Sequence, residues 1–290
     1  MNITFECMPC FVRHTLDVLK EFSDDEKVNE VVLRRVLAQM SELDYQISPP
    51  EFAAEVHSFI RQQLDCEDPY AEIKRNSNEL ASGLVEKLAP KIDGSGSPLR
   101  SAVLYAIAGN IIDSGVSAVT PFEEIAASIA MAENEKPAID DFLALENAIE
   151  KAERILILGD NAGEIYFDRL LLKALPPGKV LTYAVKRGAI LNDATFEDAD
   201  AAGIDEFAEV VDNGTRFPGT PLKHVSDEFR KVFAEADLII AKGQANFETL
   251  SNRCDPRVFF LLRAKCDVIA RKIAVPMGSF VILCNQTAIV

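Results

Sequence analysis

Three short stretches in the second half of the chain concentrate hard-oxygen, amide and amine side chains: Gly159-Asp160-Asn161-Ala162-Gly163-Glu164, Leu191-Asn192-Asp193-Ala194-Thr195 and Ala241-Lys242-Gly243-Gln244-Ala245-Asn246-Phe247-Glu248. Asp160, Asn161 and Asp193 offer two carboxylates and an amide carbonyl. Such ligands suit magnesium or manganese, with cobalt or nickel as further candidates, and suit structural zinc poorly. Lys242 adds a compact positive charge that can lie beside a phosphoryl oxygen. Hydrolysis of a phosphate ester needs this division of labour: a cation neutralises the phosphate and activates water, while an amine and helix N-termini hold the remaining oxygens. The competing reading is that Asp160 and Asp193 only cap the helices that follow them. Three such loops at one edge favour a shared site.

The edge follows from the apolar pattern. Dense branched runs at 154–158, 180–185, 209–211, 238–241 and 258–262, with a sixth at 280–283, alternate with helical stretches at 163–174, 195–201, 223–235 and 245–249. That alternation predicts a mainly parallel sheet with helices on its faces. Two polar stretches begin where an apolar run ends and the third follows one shortly afterward, beyond Lys186-Arg187-Gly188, and ligands of open parallel sheets gather beyond the carboxyl ends of the strands. Upstream, apolar residues recur at three and four spacing, predicting helices at 10–22, 27–44, 50–64, 69–89, 98–113, 121–132 and 138–151. Breaks at Ser23-Asp24-Asp25, Ser48-Pro49-Pro50 and Asp93 to Pro98 supply the caps and turns between them. The chain thus divides into a helical part over 1–150, forming one wall of the pocket, and an α/β metal- and phosphate-binding part over 151–290.

Composition excludes several classes. A formal charge of -16 repels nucleic-acid backbones and anionic lipid surfaces, so a small anion can bind only where local cations or a metal reverse the sign. No apolar run approaches the ~20 residues of a membrane helix. Met1 to Cys10 carry no basic leader pattern, and six cysteines in a long chain without a secretion signal are expected as reduced thiols. A cytoplasmic protein is expected. Gly159 and Gly163 lack the G-x-G-x-x-G spacing of a dinucleotide site, and no G-x-S-x-G elbow accompanies His14, His57 or His224. Cys7-x-x-Cys10 has no second pair to complete a zinc site, so thiols packed around the first helix are expected. Lys186 is assigned to a solvated strand end and the two histidines on early helices to surface or core.

The three loop motifs closely resemble those of the damage-control phosphatases, also known as domain of unknown function 89. The resemblance extends to Cys7-Met8-Pro9-Cys10, to Asp68-Pro69-Tyr70 with Lys74 and Asn78, and to Gly109-Asn110-Ile111-Ile112-Asp113, and it looks like the archaeal and bacterial branch. It implies a helical N-terminal part over a three-layer α/β/α sandwich, and a divalent-metal-dependent phosphatase acting on sugar phosphates or damaged phosphometabolites. The family's metal ligands carry onto Asp160, Asn161 and Asp193, and its phosphate-side lysine onto Lys242. Asn110 and Asp113 are expected to line the pocket from the helical side, with Glu164, Asn192, Gly243 and Asn246 as further substrate contacts. Ala245 departs from a pattern that often has a second glycine there.

The expected reaction is in-line attack on phosphorus by metal-activated water, with Asp160 as covalent nucleophile the variant route. Two rivals stand beside it. One is an S-adenosylmethionine-dependent carboxyl methyltransferase, which a parallel sheet can host without a hard-metal cluster. The other is a non-enzymatic protein that binds a metal or metabolite.

Overall fold

The structure is a computed structural model that describes residues 1–112 and 122–286. Five branched apolar runs form the expected strands β2 (Arg154–Leu158), β3 (Val180–Val185), β4 (Glu209–Asp212), β5 (Leu238–Lys242) and β6 (Val258–Arg263), and the sixth run is β7 (Phe280–Cys284). With β1 (Ile139–Asp140) they build one sheet in the order β1-β7-β6-β5-β2-β3-β4. The block β4-β3-β2-β5-β6 is parallel throughout. β7 is antiparallel to β6, and β1 pairs parallel with β7.

β2 has β3 on one side and β5 on the other, so the winding direction reverses there. A crevice opens at such a reversal, because the connections leave the two strand ends toward opposite sides. Two of the polar motifs begin at the carboxyl ends of β2 and β5, and the third follows the end of β3 by six residues. The fold therefore brings together stretches that lie some eighty residues apart.

Strand side chains alternate between two cores. Ile155, Ile157, Tyr183, Val185, Leu238 and Ile240 pack with α4 (Ala71–Asp93), α5 (Pro98–Gly109), α6 (Phe122–Asn134), α7 (Phe142–Lys151), α8 (Glu164–Ala174) and α9 (Phe196–Ala202). Leu156, Leu158, Ala184, Ile239 and Ala241 face the other way, toward α10 (Asp227–Glu235), α11 (Gly243–Leu250) and α12 (Asp267–Lys272). The mixed α/β fold is thus a sheet covered on both faces, and the first core draws residues from both sides of position 150. A third core joins α1 (Cys7–Phe22), α2 (Glu26–Ser41) and α3 (Pro49–Leu64), and α3 leans on α11.

Local chemistry explains most of the helix starts. Ser48 and Glu51 form a reciprocal capping box with Pro49 in the first turn of α3, and Thr195 and Asp198 do the same for α9. Ser226 accepts from Phe229 N, so α10 starts at Asp227 rather than at 223. The expected helix over 138–151 is corrected: Ala138 N and Asp141 N donate to Phe280 and Ile282 of β7, turning 139–140 into an edge strand. Pairing with an open sheet edge satisfies backbone groups that a first helical turn would leave bare. The helix expected over 98–113 ends at Gly109, and Asn110–Ile112 form a tighter 3-10 turn. Asp113 lies outside the described residues. α12 carries too little periodicity in six residues to be read in advance. No helix among the described residues is long and apolar enough to cross a membrane.

Candidate active site at the carboxyl edge of the sheet

The ends of β2 and β3 are stitched to each other. Ala194 N donates to Asp160 O and Ala162 N to Asn192 O, both at 2.8 Å, and Asn161 and Asp193 form an isolated antiparallel bridge. Residues opposed across such a bridge lie roughly 5 Å apart at Cα. Asp160, Asn161 and Asp193 are thereby brought together on one short ribbon, with exposures of 6%, 4% and 3%. Behind the ribbon, Asn78 accepts from Gly163 N at 2.7 Å and donates to Asp198 at 2.9 Å, while Lys74 pairs with Asp68 at 2.9 Å and approaches Asp198 at 3.5 Å. These upstream motif residues act as struts between the two loops.

A buried polar network underlies Asp160. Asn110 Nδ2 donates to Asp160 Oδ2 at 3.0 Å and to Glu164 Oε2 at 2.6 Å, and Asn161 Nδ2 reaches the same two oxygens at 3.0 and 3.3 Å. With its NH2 committed inward, Asn161 has its carbonyl oxygen left to face a cation. Asn110 arrives because Gly109 lets α5 close on α8: a Cβ there would lie 2.7 Å from the Phe167 ring. Gly243 does the same for Asp160. Its φ of +72° suits glycine, and a Cβ would fall 1.8 Å from Asp160 Oδ2. Asn246 is fully buried and donates to Lys242 O at 2.7 Å and to Gly159 O at 3.3 Å, so it ties the β5 turn to the β2 turn.

Lys242 is also in this network. Its Nζ donates to Glu164 Oε1 and Asp168 Oδ1 at 2.5 Å and to Ala106 O at 3.0 Å, with none of the residue exposed. An ammonium has three N–H donors, and all three are used. Burial works against its charge, but Asp168 and Glu164 outweigh burial and hold its pKa above the ordinary lysine value. Burial pushes the Asp168 carboxyl up to about 6 against the pull of Lys242, and Tyr183 OH donates to its other oxygen at 2.7 Å. Glu164, Asn246 and Lys242, expected from sequence at the substrate, lie beneath the site rather than along its cavity. Asp168 and Tyr183 were not anticipated. The i, i+4 spacing of Glu164 and Asp168 on α8 was the available signal, since it puts both carboxylates on one helix face.

The cavity itself holds about 270 Å³ and is lined by Asp160, Asn161, Asn192 and Asp193 on one side. Phe11, Pro49, Pro50, Ala53, Leu191, Pro218 and Ala245 make its apolar wall, and Cys10, His14, Gln244, Glu248 and Lys265 complete it. Cys7 is packed in the third core, among α1, α2 and α3, as expected, whereas Cys10 is exposed at the cavity. His57 is buried and its Nε2 lies 2.9 Å from His14 Nε2; burial first, then His14, hold its pKa well below the ordinary value. Burial pushes the Glu248 carboxyl up to about 7. Lys186 is a correction to the sequence reading: it is 2% exposed, donates to Gly219 O at 2.6 Å and lies 3.4 Å from Asp193 Oδ2. The turn over 213–221 folds back across the end of β3, and that tertiary contact removes the lysine from solvent.

A divalent cation fits this donor set. Two nearly buried carboxylates share the ribbon, and burying them is costly unless cations or donors compensate. Among the described residues no three His, Cys, Asp or Glu side chains form a closed cage. Two carboxylates and one amide would hold a hard cation through oxygen without filling its coordination shell.

Comparison with known proteins shows that the class is that of a phosphatase family. The sequence profile of the damage-control phosphatase ARMT1-like domain matches residues 3–281. A damage-control phosphatase from Pyrococcus horikoshii is 35% identical, with 99% of each chain covered. One from Archaeoglobus fulgidus is 35% identical over 97% of this chain and 98% of its own. A crystal structure of a protein of the domain-of-unknown-function-89 family from Pyrococcus horikoshii superposes with a TM-score of 0.88 at 34% identity, covering 98% of this chain and 99% of that one. The chain belongs to the damage-control phosphatase family.

Proposed function

We propose that this protein hydrolyses phosphate monoesters of small metabolites, sugar phosphates or damaged phosphometabolites, with a divalent cation held by Asp160, Asn161 and Asp193. The observation that carries the reading is the Asn161–Asp193 bridge, which presents three hard oxygen donors at one cavity mouth where the sheet reverses its winding. A cation bound there supplies charge neutralisation at the phosphoryl group and a lowered pKa for water. Asn110 and the inward amide of Asn161 orient Asp160, and Gly243 keeps its approach open. Lys186 balances Asp193, and Lys265 adds a cation to the cavity wall. Lys242 serves by holding Glu164 and Asp168 in place. A cavity of about 270 Å³ suits a molecule of roughly hexose-phosphate size rather than a macromolecule.

Hydrolysis of an aryl phosphate, measured with chelator and after return of manganese or magnesium, tests the reading. Metal-dependent release of phosphate is expected, and Asp160→Asn is expected to abolish it while leaving thermal unfolding nearly unchanged. Transfer of labelled methyl groups from S-adenosylmethionine without phosphate release would favour the methyltransferase reading instead. Full activity in Asp160→Asn would sink the ligand assignment.

A further inference from the structure

A second cavity, of about 480 Å³, lies between α2, α3 and the 213–221 turn, and three guanidinium groups line it: Arg35, Arg61 and Arg216. This is unexpected on a chain of net charge -16. Arg216 pairs with Glu67 at 2.8 Å, but that carboxylate is 85% exposed and well screened. Arg35 stands over the Phe59 ring at 5.8 Å, and its neighbour Arg34 takes Glu30. Among the described residues neither Arg35 nor Arg61 has a carboxylate at ion-pair distance. Arg61 sits in the last turn of α3, half-buried, and none of its guanidinium N–H groups meets a protein acceptor among the described residues.

The charges facing one another across the cleft are accounted for. On the acidic side stand Glu55 on the cleft wall, Glu67, and Asp68, which is taken by Lys74. Burial and then Arg216 weaken the hold of Arg61 on its proton, with Glu67 and Asp68 opposing more weakly. Two guanidiniums held near each other, one half-buried with its donors unspent, are costly unless an anion joins them. Planar forks of this kind match phosphoryl oxygens bidentately. Ser58, Gln39 and Gln62 add neutral polar groups to the wall.

We propose that this cleft is a binding site for a phosphoryl group, separate from the Asp160–Asp193 cavity and needing no metal. It shares two elements with that cavity. Pro49, Pro50 and Ala53 of α3 line the candidate active site, while Ala54, Glu55 and Ser58 of the same helix line the cleft. Arg216 and Phe217 precede Pro218, which walls the active cavity, and Gly219, whose carbonyl holds Lys186 beside Asp193. An anion gripped by Arg61 and Arg216 thus bears on both sides of the catalytic wall.

The proposal goes beyond the phosphatase reading, and its test needs no turnover. Protein stripped of metal on a chelating resin, so that no polycarboxylate chelator competes, is titrated calorimetrically with inorganic pyrophosphate at low ionic strength. One site is expected, weakened about tenfold or more by Arg61→Gln and by Arg35→Gln. Lys87→Gln, an exposed charge change elsewhere, is expected to leave it unchanged. Parallel titrations with inorganic phosphate and with a phosphate monoester separate a site for released product from one for an incoming metabolite, and binding of either supports the site. Absence of binding in the unaltered protein, equal loss in Lys87→Gln, or loss in Asp193→Asn with none in the arginine variants would each overturn it. Arg35 is exposed, so its variant keeps the test open if Arg61→Gln does not fold.

Discussion

Replacing Lys242 by methionine keeps the length of the side chain and removes three donated hydrogen bonds and one charge. What remains is a pair of carboxylates, Glu164 and Asp168, that are 0% and 1% exposed and have lost the cation between them. Breaking a buried ion pair by deleting one partner costs about 3–5 kcal/mol. With an unfolding entropy near 2.1 cal/mol/K per residue, a chain of 290 residues would lose about 5–8 °C in melting temperature. The effect should spread to the metal ligands. Glu164 accepts from Asn110 and Asn161, and both amides also hold Asp160, so a shifted Glu164 loosens the oxygen set. Loss of such supporting contacts typically weakens metal binding about 10- to 100-fold. Thermal unfolding of the metal-free protein and calorimetric titration with manganese read the two effects separately. A variant that melts normally and binds manganese normally, yet turns over slowly, would refute the network argument and return Lys242 to the phosphate.

Further outcomes follow from other contacts. Gly243→Ala pushes a methyl group toward Asp160 at a backbone angle that disfavours it, so about 1–2 kcal/mol of stability and nearly all activity should be lost; Gly96→Ala, which meets nothing within 4 Å, is the neutral control. Lys186→Met should weaken the metal-free fold yet raise manganese affinity, because Lys186 and the cation compete for the charge of Asp193; unchanged affinity in a manganese titration would count against the pairing. Glu51 is held down to about 2: burial opposes its charge, but Lys223, Ser48 and His224 bond the carboxylate and prevail. A depressed carboxyl contributes stability above its ordinary pKa of 4.5 and loses it as pH falls through 2. Glu51→Gln should therefore cost roughly 2 kcal/mol near pH 6, after discounting the exposed Lys223. The gap to the unaltered protein should close toward pH 2 in thermal melts; a gap independent of pH would show that the charge is not what matters.

The sheet was legible because its strands are continuous branched runs, and a strand buried on both faces has no room for other residue types. The loop positions of Asp160, Asn161, Asp193, Asn192 and Gly243 followed from the same runs, since each lies in the segment that follows a run. Local pattern also marked the cap at Ser48. What it could not supply was which polar side chain faces the cavity and which is buried behind it. Lys242 closes β5 and Lys186 follows β3, the strands on either side of β2, yet one is spent on α8 and Ala106 while the other is held by Gly219 O beside Asp193. The difference lies in partners some thirty to one hundred and forty residues away, brought close only by packing. Likewise the short edge strand at 139–140 exists only because β7 offers it unpaired backbone, and Cys10 and His14 reach the cavity only because α1 packs on α3 and α3 docks on α11. Residue type and spacing determined the chemistry at the sheet edge; long-range contacts decided which charges meet the ligand, because burial and hydrogen-bond partners are properties of the packed chain and leave no local trace.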